Sequence, residues 1–103
     1  MNKVLMISLR TYFYMKKVNY SSQFKKDVRL IIKRGLRVES LHTVMKLQES
    51  GKELGPDYKE YKLVVKYNGY LECHISADWL LIYRLTGEQL FFVRTGSHSD
   101  LFG

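Results

Sequence analysis

Two histidines and one carboxylate, His74, Asp78 and His98, are the residues whose types could support reaction chemistry in this chain. An imidazole with a pKa near ~6.5 gives or takes a proton at neutral pH, so a histidine pair can supply both acid and base. Arg94 and Lys62 would add positive charge for a phosphoryl transition state. Spacing leaves three readings open: unrelated polar residues, a catalytic cluster, and a metal site if the three side chains converge. Other chemistries lack their signatures, since the chain has no P-loop, dinucleotide fingerprint, zinc-ligand spacing or Gly-x-Ser-x-Gly elbow. The single Cys73 reads as a buried structural thiol rather than a nucleophile. His42 reads as a surface or packing histidine.

These residues need strands and turns to hold them. The segment from Lys17 to Tyr20 is extended in character, and Ser21 or Ser22 can cap a helix start. Phe24, Val28, Ile31 and Ile32 place one face of a helix ending near Gly35, opposite a basic face of Lys25, Lys26, Arg29 and Lys33. Val38, Leu41, Val44 and Met45 predict a second helix, with Ser40 near its start and Gly51 as its C-cap candidate. The short connection makes the two an antiparallel hairpin. The stretch around Pro56 reads as a loop.

After it the period changes. Tyr61, Leu63, Val65 and Tyr67 alternate with Lys62, Val64 and Lys66, and Asn68-Gly69 suits a type I′ hairpin turn. On the return strand Leu71, Cys73 and Ile75 face the helices, while Tyr70, Glu72 and His74 face away. Trp79 to Leu85 is apolar on both faces and reads as a central strand, and Glu88 to Thr95 as the last long strand. The expected fold is α+β: a two-helix hairpin on one face of a small antiparallel sheet, in the order β-α-α-β-β-β-β.

The chain has 103 residues and a formal charge of +7, with 46% hydrophobic residues. That is one domain with enough apolar content for one core, and its lone cysteine fits a reducing cytosol. The basic excess favours an anionic partner, nucleic acid or an acidic protein. The apolar stretch Met1 to Tyr14 carries Arg10, lacks a small-residue cleavage site and is too short to span a bilayer. The expectation is therefore no membrane, residues 1–14 as an N-terminal extension or an upstream start, and residues 15–103 as the working domain, with 15 basic and 10 acidic residues.

The runs YLECHISADWLLIYRL and FFVRTGSHSDLFG resemble the C-terminal half of the YafQ branch of the RelE/ParE superfamily of bacterial type II toxins. KKVNYSSQFKKDVRLIIKRG resembles that family's first strand and helix, so the likeness spans about Met15 to Gly103. The resemblance implies a cytoplasmic bacterial toxin with a RelE-like fold. It implies an endoribonuclease that uses no metal or cofactor, cleaves mRNA in the A site of the 70S ribosome, and is silenced by an antitoxin. Position by position, His74, Asp78 and His98 match the acid/base set, and Phe102 matches the functional C-terminal aromatic, whose ring we read as a surface on which a base stacks. Arg94 is implied as a phosphate-stabilising cation, with Lys62 beside the site. Trp79 belongs to the same motif, its other reading being a core residue.

Two positions depart from the family pattern: Tyr61 stands where a histidine is usual, and Leu71 where an arginine is usual. A phenol with a pKa near ~10 is a poor base at pH 7 but can donate a hydrogen bond or act as an acid. These departures imply a slower or attenuated enzyme, or one that uses Tyr61 differently. The rival expectations are a gyrase-directed toxin of the ParE side, which lacks the histidine pair, and a degenerate RNA-binding or antitoxin-binding module.

Overall fold

The computed structural model describes residues 17–103. Met1 to Tyr14 and a domain start at Met15 fall outside the described residues. Strand β1 (Lys17–Tyr20) leads into helix α1 (Ser22–Lys33), then helix α2 (Val38–Glu49), a 3₁₀ turn (Pro56–Tyr58) and strand β2 (Tyr61–Lys62). Strands β3 (Leu71–Ser76), β4 (Trp79–Thr86) and β5 (Gln89–Gly96) form a meander, and a helix α3 (His98–Phe102) closes the chain. No helix of the described residues is long and apolar enough to cross a membrane.

The α+β expectation holds, with two corrections to its order. The sheet runs β1-β5-β4-β3-β2 and is mixed, because β1 pairs parallel with β5, Tyr20 opposite Phe92. Alternation along a strand shows which side chains share a face but not which neighbour the strand takes or in which direction. The second correction is α3, formed by the tail. Its Ser97–Asp100 capping box satisfies backbone donors at the helix start: Ser97 Oγ accepts from Asp100 N at 3.0 Å, and Asp100 Oδ2 from Ser97 N at 2.8 Å.

Ser21 caps α1, its Oγ accepting from Phe24 N at 2.9 Å and donating to Val93 O at 2.7 Å, which ties the helix start to β5. The buried face of α1 is Phe24, Asp27 and Ile31; Ile32 is 56% exposed instead of buried. At ~100° per residue, Ile32 is rotated off the stripe that Phe24 and Ile31 define, whereas Asp27 lies on it. Gly35, at φ +80°, ends α1. Helix α2 starts at Val38, ahead of Ser40, and buries Leu41, Val44, Met45 and Gln48.

These helix residues meet Cys73, Trp79, Leu81, Tyr83, Leu90 and Phe92 in the main core. Cys73 is fully buried there, and that burial pushes its thiol up to about 12, which removes it as a nucleophile near neutrality. Strand β4 is central as expected, its first half buried on both faces.

The long hairpin expected around Asn68-Gly69 does not form. Strand β2 ends at Lys62, and residues 63–70 make an irregular loop closed by Leu63 N donating to Tyr70 O at 2.9 Å and Tyr70 N to Tyr67 O at 3.0 Å. The reason is the second face of the sheet. Leu63, Leu80, Ile82 and Leu101 form a smaller core there, flanked by Tyr67, Tyr70, Val93 and Phe102. Folding the loop inward buries Leu63 at the cost of leaving Val64 and Val65 77% and 88% exposed. The face expected to be open is thus partly roofed by this loop and by α3.

Candidate active site

The roofed face carries the candidate residues. His74 sits on β3 opposite Leu80, half-buried, with Nε2 3.7 Å from Glu72 Oε2. That separation exceeds a hydrogen bond, so the pair interacts only through charge when the imidazole is protonated. Glu72 is 1% exposed and its Oε1 lacks a hydrogen-bond partner among the described residues. Tyr61 stands opposite Glu72 across the β2–β3 pair. Hydrogen bonding to the Glu72 carboxylate raises the Tyr61 phenol above its ordinary value, so it is a proton donor at neutral pH and not a base.

Asp78 occupies the turn between β3 and β4, and its Oδ1 accepts from His98 N at 3.0 Å. The exposed turn is thereby joined to the first residue of α3. The His98 ring lies 5.0 Å from the Phe102 ring, one helical turn on. Phe102 meets Tyr67 edge-on at 5.9 Å, and the Lys66 ammonium stands 5.4 Å from the Tyr67 ring centre and 6.0 Å from that of Phe102. Asp78, His98 and Phe102 therefore form one continuous group, with His74 on the strand that leads into the same turn. Lys62 is exposed on the neighbouring strand.

Arg94 is not a free cation. Its Nε donates to Asp27 Oδ2 at 2.7 Å, its Nη2 to Asp27 Oδ1 at 3.2 Å, and its Nη1 to the Tyr67 hydroxyl at 2.9 Å. Asp27 also accepts from Thr95 N at 3.1 Å and Gln23 Nε2 at 3.1 Å, so one buried carboxylate ties α1 to β5. The hydrogen bond to Asp27 strengthens the guanidinium's hold on its proton. Trp79 resolves to its core reading: it is 4% exposed, and Nε1 donates to Thr95 Oγ1 at 2.9 Å, leaving no ring face for RNA. Leu71 packs against the main core.

A cleft of about 330 Å³ opens beside His74, lined also by Asp57, Tyr58, Lys59, Ile75 and Ser76. It follows the free edge of β3, which two-residue β2 leaves uncovered. A larger groove of about 450 Å³ between α1 and α2 is almost wholly apolar and contains none of the reactive group. Among the described residues no three His, Cys, Asp or Glu side chains are placed to hold a metal ion.

Sequence reasoning missed Asp27, Tyr67 and Lys66. Asp27 was legible as a carboxylate on the apolar stripe of α1, a position that demands a charged partner. Tyr67 carried no signal, because its role depends on the loop replacing the strand; at φ +62° it adopts a conformation unusual for an aromatic residue.

A capped helix hairpin over a mixed sheet, with this polar group at the end of the meander, is a small α+β fold of the RelE-like class. The family described as "Bacterial toxin of type II toxin-antitoxin system, YafQ" matches residues 16–103, and the chain belongs to that family. The mRNA interferase toxin YafQ of Escherichia coli BL21-DE3 is 41% identical over 87 residues, covering 84% of this chain and 95% of that protein. The crystal structure of YafQ from the same strain superposes with a TM-score of 0.82 at 39% identity, covering 85% of this chain and 99% of that one. YafQ in the crystal structure of the E. coli DinJ–YafQ toxin–antitoxin complex gives 0.81 at 39% identity, covering 86% and 99%.

Proposed function

We propose that this chain is an mRNA interferase: an endoribonuclease that cleaves message in the ribosomal A site and is held inactive by an antitoxin. The observation that carries the reading is the Asp78–His98 bond, which presents His98 and Phe102 beside the turn that follows His74. The likeness to E. coli YafQ, an mRNA interferase crystallised with its antitoxin DinJ, supports both the activity and the partner.

The chemistry is transfer within the RNA. One histidine of the His74/His98 pair takes the proton of a ribose 2′-hydroxyl as that oxygen attacks the adjacent phosphorus. The P–O5′ bond breaks, and the other histidine protonates the departing O5′, leaving a 2′,3′-cyclic phosphate and a 5′-hydroxyl. Asp78 fixes where His98 starts, and Phe102 offers a ring on which a base stacks. Arg94 stabilises phosphate charge only through the N–H groups that Asp27 and Tyr67 leave unused. The basic surface suits rRNA and mRNA phosphates, and the ribosome supplies the alignment that five residues of α3 cannot.

Tyr61 favours a reduced rate, because its phenol, raised above its ordinary value opposite Glu72, stays protonated where the family usually has an imidazole. The histidine pair argues against the gyrase-directed reading. The test is cleavage of message on programmed ribosomes with mapping of the product ends. Cyclic phosphate ends from the wild type, and a loss of roughly 10²–10⁴-fold in His98→Ala, are expected. Equal cleavage of naked RNA would overturn the ribosome dependence, and an active His98→Ala would overturn the role of His98.

A further inference from the structure

Helix α3 has only five residues, too few to hold a helix by its own hydrogen bonds. Leu101, fully buried, is its deepest apolar anchor, with Phe102 packed against the same small core from a partly exposed position, and so shallow a footing resists withdrawal better than rotation about the helix axis. His98 and Phe102 lie on the same helix, so any roll of α3 moves both rings together. Two polar contacts from outside oppose that roll. Asp78 grips the first backbone N–H, and Arg34, the C-cap residue of α1, grips the side chain of Asp100.

The second contact is bidentate: Arg34 Nη1 lies 2.6 Å from Asp100 Oδ2 and Nη2 3.1 Å from Oδ1. Fork-to-fork pairing fixes direction as well as distance. Asp100 Oδ2 accepts from Ser97 N as well, so the ion pair and the capping box share one carboxylate. Space around it is tight, because a Cβ at Gly96 would come 2.9 Å from Asp100 Oδ2. Neither Arg34 nor Asp100 touches His98 or Phe102 in any contact described above, and Arg34 lies on a different element.

We propose that Arg34 and Asp100 are a positioning pair that sets the rotation of α3 and thereby places His98 and Phe102. The inference rests on the reading of those two rings as working residues. Arg34 remains 43% exposed, so solvent screens the pair, and what it adds to α3 above all is direction.

The experiment uses the full chain and compares wild type, Arg34→Ala, Arg34→Lys, Asp100→Asn and the double variant Arg34→Ala/Asp100→Asn. Cleavage on programmed ribosomes is resolved into kcat and KM, and nuclear Overhauser contacts between the Phe102 and Tyr67 rings report α3 directly. Circular dichroism melting checks that each variant folds. Expected are weaker Phe102–Tyr67 contacts with a cooperative melt retained, kcat lower by about tenfold to a hundredfold, and KM unchanged. Arg34→Lys, which cannot pair through a fork, should fall between, and the double variant should be no worse than Arg34→Ala. A raised KM with unchanged kcat would make Arg34 a phosphate contact and overturn the proposal. So would intact ring contacts in Arg34→Ala, an unchanged kcat, or losses that simply multiply in the double variant. If the wild type does not cleave, the nuclease reading fails, while the ring contacts still decide whether the pair positions α3.

Discussion

At the scale of residues, the site is decided by what each polar group is already bound to. Arg94 and Tyr61 look equivalent in sequence as groups near a phosphate, yet one is committed to Asp27 and Tyr67, and the other stands opposite the Glu72 carboxylate, which keeps its phenol protonated. Tyr61 is the position where this chain can be improved. Replacing it with histidine puts a group of pKa near ~6.5 where a phenol now holds its proton, and Tyr61→His is expected to raise kcat by about tenfold or more. Measured cleavage rates across pH 5.5–8.5 check this, because the variant should also gain an ionisation near neutrality. An unchanged rate and profile would show that position 61 takes no part in proton transfer. His74, Asp78, His98 and Phe102 were legible as a set from their types and from the family resemblance. Their bonding was not, because Asp78 reaches the His98 backbone and not its ring.

Elements explain why the rest of the site escaped the sequence. The alternation from Tyr61 to Tyr67 predicts a strand, but a strand there would leave Leu80 and Ile82 facing water. The loop wins because it brings Leu63, Tyr67 and Tyr70 over that face. The tail Ser97–Gly103 is too short to show helical periodicity, yet Leu101 needs burial and Ser97 with Asp100 can cap, so α3 forms. Leu101→Ala should therefore cost about 2–4 kcal/mol in urea unfolding and lower cleavage at the same time, since it frees the helix that carries His98. A loss under about 1 kcal/mol would mean that α3 is not anchored by this side chain.

Across the whole molecule, a chain of charge +7 folds around a few deeply committed carboxylates. Arg34 beside Asp100 holds that carboxyl well below the usual range, so the folded chain binds this proton less readily than the unfolded chain does. Acid then favours the unfolded state: the contribution is fully present above pH ~4 and is lost progressively as pH falls toward the folded value. Asp100→Asn should give a shallower fall of stability between about pH 4 and pH 2 than the wild type, measured by denaturant midpoints. Parallel curves would show that Asp100 is not a source of the acid sensitivity.

The sequence by itself determined the helix hairpin, the β3–β4–β5 meander, the buried thiol and the types of the reactive residues. Local periodicity, turn residues and residue chemistry act over a few positions and can be read there. Only the tertiary structure decided that β1 pairs parallel with β5, that the second sheet face is roofed by a loop and a terminal helix, and that Trp79 is interior. It also decided which carboxylate meets which cation, as with Asp27 and Arg94 or Arg34 and Asp100, because those partners are set by which faces are left to cover after the meander has formed.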